Sequence, residues 1–364
     1  MISPQDKYWM RRALKLAERG RGFTSPNPVV GVCLVKNNRL ISEGYHSAFG
    51  RAHAEIEALR KAGKRALHST MYVTLEPCST YGKTPPCTDA ICNAKISRIV
   101  IGASDPNPIH TRKGISFLKK QGIRVETGVL RKEAEAQNEA FSKWIRRKIP
   151  FVIVKMAQSL DGKIASRTGA SRWISGPQAR KWVHHLRASI DAVLVGKNTV
   201  LKDDPRLTVR NGKVIHKPWR IVLDADGAVS PKARLFKSRG PVILACAEKS
   251  AASVLRKFKN IKVTILPLKE SRGKLDITQL LRKLGALGIT SLLVEGGGEV
   301  AWSFFKSGFV DKVAWVLAPK IIGGRDATTS VEGLGFSSLT EALPIRSSRV
   351  VRLGEDFLLE GYLR

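Results

Sequence analysis

His53-Ala54-Glu55, then Pro77-Cys78, then Cys87, place three metal-ligating residues and one spare carboxylate within 35 positions of one another. A tetrahedral zinc ion held by His, Cys and Cys keeps its fourth corner for water, which is the layout of a catalytic site rather than a structural one. The metal brings the pKa of that water toward neutrality. Glu55, two residues from His53, then suits a proton carrier that accepts from the water and donates to a departing group. The residues around this stretch alternate between strand and helix patterns. Strands are predicted at Val29–Val35, Leu40–Gly44, Thr70–Leu75, Ile99–Ala103 and Val125–Gly128, and helices at His53–Ala62, Thr88–Ala94, Gly114–Gln121 and Glu133–Trp144. Ser3-Pro4-Gln5-Asp6 reads as an N-cap, a first-turn proline and an early acid, so a helix opens the chain.

The pattern is the signature of zinc deaminases, which remove exocyclic amines from heterocycles. Its spacing departs from the usual P-C-x-x-C. Eight residues, Ser79 to Pro86, separate the two cysteines. They are turn-rich, so they can loop out while both sulfurs stay on one metal. Pro85-Pro86 directly precedes a helical run, which puts Cys87 at a helix N-terminus where the macrodipole favours thiolate.

The 364 residues exceed one typical core and predict two domains, 1–147 and 148–364, with the boundary at Arg146-Arg147-Lys148-Ile149-Pro150. Five cysteines, an odd number with two assigned to metal, fit a reducing cytoplasm better than a disulfide framework. No apolar run approaches a membrane span, and no secretory segment opens the sequence. The net charge of +33 suggests nucleic acid, but it is spread evenly: 27 basic against 12 acidic residues up to position 148, and 36 against 18 beyond. Even spread argues for a generally cationic surface and against a dedicated nucleic-acid patch.

The second half also reads as α/β. Strands are expected at Phe151–Met156, Ala192–Val195, Arg220–Leu223, Val242–Cys246, Lys262–Leu266 and Leu292–Val294. Helices are expected at Pro177–Ala188, Ala251–Phe258, Ile277–Leu287 and Val300–Phe305. Leu292 to Glu299 is strand, glycine turn and helix, and Gly296-Gly297-Gly298 lets backbone N–H groups approach a phosphate. It is not a G-x-G-x-x-G fingerprint. The polar loop Ala157 to Lys163, the segment Ser171 to Ser175, Gly196-Lys197-Asn198-Thr199 and the stretch Asp203 to Arg210 all fall at or just after strand ends, where open α/β sheets place ligands. Asp203 can hold sugar hydroxyls, and Arg187 and Arg210 can hold a phosphate by forked hydrogen bonds. Taken alone, Asp204-Pro205 reads first as a plain turn and Trp173 as a core anchor.

Together the halves resemble the bifunctional deaminase/reductase family of riboflavin biosynthesis over nearly the whole chain. The first half carries Ser25-Pro26-Asn27-Pro28-Val29-Val30-Gly31, Gly44-Tyr45-His46, His53-Ala54-Glu55 and Glu76-Pro77-Cys78 through Cys87. The second carries Ser159 to Lys163, Trp173-Ile174, Asp203 to Arg210 and Glu295-Gly296-Gly297. The resemblance implies a cytidine-deaminase-like three-layer domain with one zinc ion, and a dihydrofolate-reductase-like domain using NADPH. It implies deamination of a diamino-pyrimidinone ribosylamine 5′-phosphate, followed by reduction of its ribosyl group. By carry-over, His53, Cys78 and Cys87 hold the metal, Glu55 is catalytic, and Asn27 and His46 line the deaminase pocket. Ser171, Arg187, Asp203, Leu207, Arg210 and Glu295 contact the reductase substrate. Lys155, Ala157, Trp173, Thr199, Gly297, Gly298 and Glu299 contact the dinucleotide. A homo-oligomer through the second domain is also implied. One departure stands out: the family pattern has histidine after Cys-Ser, where this chain has Thr80, and arginine where it has Lys83. The rival reading, a nucleic-acid base deaminase with a basic appendage, leaves Asp203 to Arg210 and Glu295 to Gly298 without a purpose and predicts a short inter-cysteine spacing.

Overall fold

A computed structural model describes residues 2–81, 85–209 and 217–363. The chain divides into two compact units, Met1–Lys148 and Ile149–Arg364.

The first unit is built on five strands, β1 (Gly31–Lys36), β2 (Arg39–Tyr45), β3 (Thr70–Leu75), β4 (Arg98–Ala103) and β5 (Arg124–Thr127), in the order β2-β1-β3-β4-β5. β1 pairs antiparallel with β2 and β3, whereas β3, β4 and β5 run parallel. Side chains alternate along each strand, and both faces are buried. Cys33, Val35, Tyr72 and Val100 meet Trp9, Met10, Ala13 and Leu16 of α1 (Pro4–Ala17). Val32, Leu34, Met71, Val73, Ile99 and Ile101 meet α2 (Ala54–Ala62), α3 (Cys87–Asn93) and α4 (Lys113–Lys120). The result is the expected three-layer sandwich. The predicted capping box forms, with Ser3 and Asp6 bonded reciprocally. Asp6 does more than cap. Its buried carboxylate accepts from Tyr72 Oη at 2.9 Å and from both terminal nitrogens of Arg98 at 2.8 and 3.0 Å. Burial alone would raise its pKa, but these bonds outweigh that and hold it well below the usual carboxylate range.

The single closing helix expected over Glu133–Trp144 is instead two, α5 (Arg131–Gln137) and α6 (Glu139–Arg147). The break falls at Asn138. Its buried amide accepts from Val29 N and donates to Val29 O, both at 2.9 Å, so a side chain competes with the helical ladder and wins.

The second unit holds a nine-stranded sheet in the order β10-β9-β8-β7-β13-β6-β14-β16-β15. The parallel strands are β6 (Phe151–Ser159), β7 (Ala192–Gly196), β8 (Trp219–Leu223), β9 (Val242–Ala247), β10 (Thr264–Leu268), β13 (Ser291–Val294) and β14 (Lys312–Ala318). A two-residue hairpin, β11 (Glu270–Ser271) and β12 (Lys274–Leu275), stands apart. Helices α7 (Pro177–Ser189), α8 (Lys197–Asp203), α9 (Arg234–Lys237), α10 (Ala251–Lys257), α11 (Ile277–Ala286) and α12 (Gly298–Lys306) complete it. Leu280, Leu281 and Leu284 of α11 and Ala301, Phe304 and Phe305 of α12 pack with Val152, Val154, Leu194 and Leu292 of the central strands.

Five expectations change here. The polar loop expected from Ala157 starts only after Ser159, because β6 runs to that residue, and the segment after β7 is a helix that was not expected: α8 begins at Lys197 and ends at Asp203, with Asp204 in the left-handed conformation that stops it. The strand expected at Lys262–Leu266 lies two residues further on. α12 begins at Gly298 rather than Val300, because Gly297 supplies its extended N-cap. Nothing was expected beyond Phe305, yet β14 joins the sheet, and β16 (Asp356–Tyr362) and β15 (Arg346–Leu353) extend it antiparallel. A further polar residue is fully buried: Arg220 on β8 donates to the carbonyls of Leu235, Ser238 and Gly240, pinning that loop to the sheet.

Candidate functional site

The first site lies where β3 and β4 end and two helices begin. His53 is the N-cap of α2, and Cys87 is the first residue of α3. Cys78 follows β3, and its sulfur accepts from Cys87 N at 3.3 Å. His53 Nδ1 and the two sulfurs all lie within 4.8 Å of one another. A zinc tetrahedron with bonds of about 2.0–2.3 Å has edges of roughly 3.5 Å. His53 Nδ1 stands 3.3 Å from Cys87 Sγ and 3.7 Å from Cys78 Sγ, so the donors are spaced and chosen for that ion. The hydrogen bond from Cys87 holds the Cys78 thiol well below its usual range, toward the thiolate a metal needs, and pushes its partner up. The bond to Cys78 raises the pKa of His53.

Glu55 sits in the first turn of α2 and is 4% exposed. Burial pushes its carboxyl up to about 7, with the neighbouring Cys78 adding to the rise. A carboxyl at that value exchanges protons readily near neutral pH. His46, just past β2, is buried, and burial pushes its pKa down. Its Nδ1 is 3.0 Å from Ala52 O, an atom that only accepts, so Nδ1 carries the proton. Nε2 is then the acceptor for Asn27 Nδ2 at 3.2 Å. This fixes the Asn27 amide with its nitrogen toward His46.

Glu76 stands in the motif quoted above, but its role could not be read there. This buried carboxylate, two residues before Cys78, accepts from the backbone N–H groups of Asp105, Arg112 and Ile115 at 3.0 to 3.2 Å. It ties the loop after β4 to the cysteine loop. Its partners are backbone groups far along the chain, which no local pattern announces.

In the second unit a cavity of about 340 Å³ opens at the ends of the central strands. Thr199, Gly297, Gly298 and Glu299 line it, as do Ser171 and Asp203. Ser171 Oγ donates to Asp203 Oδ1 at 3.1 Å. A Cβ on Gly297 would meet nothing within 4 Å, so a ligand can come against the backbone there. A Cβ on Gly298 would stand 2.7 Å from Thr329 O, which explains a glycine at that position. Lys155, Ala157, Trp173, Arg187, Leu207 and Glu295 are not on this wall. Trp173 is no core anchor: it is 62% exposed, and the Arg180 guanidinium lies 4.5 Å from its ring centre. Leu207 is buried with φ +52. Arg210 and Lys83 lie outside the described residues.

Arg187 is committed. Its Nε and Nη2 grip both oxygens of Glu295 at 2.6 and 2.7 Å, with side-chain exposures of 14% and 8%. Burial opposes ionisation of Glu295, yet the charge of Arg187 outweighs it and lowers the pKa. Burial pushes the Lys155 amine down, with Glu295 acting against it. The fork expected to hold phosphate is thus already filled.

Known proteins bear on both halves. Residues 3–103 match the cytidine and deoxycytidylate deaminase zinc-binding region, and residues 150–359 match the RibD C-terminal domain. Fold and site together define a zinc-dependent deaminase joined to a reductase, and zinc serves the first half and NADPH the second. The chain is 42% identical to the riboflavin biosynthesis protein RibD of Aquifex aeolicus over 360 residues, covering 99% of each, and 39% identical to that of Escherichia coli K12, covering 98% of each. It superposes on the RibD structure from Acinetobacter baumannii with a TM-score of 0.87 at 35% identity. It superposes on a diaminohydroxyphosphoribosylaminopyrimidine deaminase/5-amino-6-(5-phosphoribosylamino)uracil reductase from Thermotoga maritima with 0.86 at 36%. Each match covers 98% of both chains. The chain belongs to the RibD family, the bifunctional deaminase/reductases of riboflavin biosynthesis. No helix among the described residues is long and apolar enough to cross a membrane.

Proposed function

We propose that residues 1–147 hydrolyse an exocyclic amine of 2,5-diamino-6-ribosylamino-4(3H)-pyrimidinone 5′-phosphate and that residues 148–364 then reduce the ribosyl group to ribityl with NADPH. The observation that carries this reading is the convergence of His53 Nδ1, Cys78 Sγ and Cys87 Sγ beside the buried Glu55 carboxyl. In this reading His53, Cys78 and Cys87 hold the ion. Bound zinc supplies a Lewis acid that makes hydroxide available near neutral pH. Glu55 takes the proton of the attacking water and returns it to the leaving amine. Asn27, fixed by His46, offers its carbonyl oxygen to the ring's donors.

In the second unit, Asp203 and Ser171 hold the sugar, with Leu207 and Arg210 completing the substrate pocket. Glu295, steadied by Arg187, and Lys155 stand between substrate and cofactor. Thr199, Gly297, Gly298, Glu299, Ala157 and Trp173 hold the dinucleotide, with the pyrophosphate against the backbone at Gly297. A second copy of the chain covers the apolar cleft of about 970 Å³ bounded by Trp302, Trp315, Phe336, Leu343, Ile345 and Leu359. The exposure of Leu334 and Leu339, above 90% each, supports that cover. Five free cysteines support a cytoplasmic setting.

Glu55→Gln tests the core of the reading. Glutamine keeps size and hydrogen bonding but cannot carry a proton, so zinc stays bound, deamination falls by several orders of magnitude, and reduction of pre-deaminated substrate is unchanged. Mass analysis of products with and without NADPH reads both steps. Near wild-type deamination in this variant removes Glu55 from the role.

A further inference from the structure

We propose that His110 is a specificity-determining contact of the deaminase site, carried by the loop between β4 and α4 to receive the anionic 5′-phosphate tail of the substrate. The inference rests on the deaminase reading above. Thr80 lies two residues beyond Cys78, and its hydroxyl is 3.2 Å from His110 Nδ1. An imidazole from a segment 30 residues away is therefore seated against the chain as it leaves the metal cluster. The resemblance implies histidine at this position, and the threonine hydroxyl that stands there brings no imidazole N–H donor. His110 brings one to the same place from another loop.

That loop is held firmly enough to present a side chain. Glu76 fastens it at Asp105 N, Arg112 N and Ile115 N. Asp105 Oδ1 accepts from Asn107 N at 2.8 Å, and Asp105 O accepts from Thr111 Oγ1 at 2.7 Å. The start of α4 presses on the cysteine loop so closely that a Cβ on Gly114 would stand 2.3 Å from Pro77 O. The ring is part-exposed, and its second nitrogen, Nε2, has no hydrogen-bond partner among the described residues. The Asp105 carboxyl and the His110 ring interact electrostatically. Asn27 and His46 gather on the His53 side of the cluster, where the His46 and His53 rings are 5.4 Å apart, whereas His110 stands on the Cys78 side. The two sides divide the substrate into a base end and a tail.

The test uses full-length, zinc-loaded protein and the ribosylamino-pyrimidinone with and without its 5′-phosphate. For His110→Ala, zinc content and kcat stay within about twofold and KM for the phosphorylated substrate rises about tenfold, the size of one charge-assisted hydrogen bond. KM for the dephosphorylated substrate is the same in wild type and variant. Thr80→His placed on the His110→Ala background restores the lower KM. Equal KM effects on both substrates, no effect on either, or a joint fall of kcat and zinc content each overturn the proposal. Wild-type protein that deaminates neither substrate brings down the deaminase reading itself, a result separable from an active wild type with a silent His110→Ala.

Discussion

Glu295→Ala is the substitution whose cost the structure sets most clearly. The Arg187–Glu295 pair is bidentate, at 2.6 and 2.7 Å, and both side chains are largely buried. Charge centres about 4 Å apart at an effective dielectric near 20 attract by about 4 kcal/mol. Much of that is offset by the desolvation of two ions, so the pair as a whole contributes little net stability. Removing one partner is different, because Arg187 is left buried and uncompensated, at a cost of about 3–5 kcal/mol. In a unit of this size each kcal/mol shifts Tm by about 2–4 °C, so the unit containing β13 should melt roughly 6–20 °C lower. Differential scanning calorimetry reads this directly. The double variant Arg187→Met/Glu295→Leu, which removes both charges, should recover most of the loss. A Glu295→Ala protein that melts within about 2 °C of wild type, or a double variant no better than the single one, would refute the reasoning.

Three other outcomes follow from the same geometry. Asp6→Asn should destabilise the first unit by about 1.5–3 kcal/mol, since it weakens charged bonds to Arg98 and Tyr72. Because the pKa of Asp6 is depressed by folding, that contribution is present above the unfolded carboxylate value near 3.9, and the gap between wild type and variant in acid titration should shrink as pH falls below it. Cys78→Ser should lose zinc, read by elemental analysis, together with deamination, and keep reduction of pre-deaminated substrate. Asp203→Asn should lower the kcat/KM of reduction about a hundredfold by loosening the sugar, with Tm and deamination unchanged; unchanged reductase turnover would leave Asp203 only its bond to Ser171.

The legible part of the site was the part written locally. His53, Glu55, Cys78 and Cys87 lie close in sequence, and their chemistry is unusual enough to read without coordinates. Strands buried on both faces, such as Val32 to Val35 and Leu292 to Val294, announced the α/β class. What escaped was everything decided by a distant partner. Glu76 acts on backbone N–H groups 29 to 39 residues later, and Arg187 meets Glu295 across 108. Asn138 looked like one more helical residue until Val29 offered it two backbone groups. β15 carries arginines and serines in an exposed edge strand, and its pattern lacks the apolar alternation that marks a strand.

Arg220 bears on how the second unit opens. A guanidinium buried among three carbonyls and, among the described residues, no carboxylate is stable only while all three stay in place. Lifting the 235–240 loop would strand a cation inside the sheet, and separating β8 from its neighbours would strip the loop of its anchor. Loop and strand therefore open as one cooperative block, and their amide protons should exchange with solvent at a common rate set by that block rather than by local fraying.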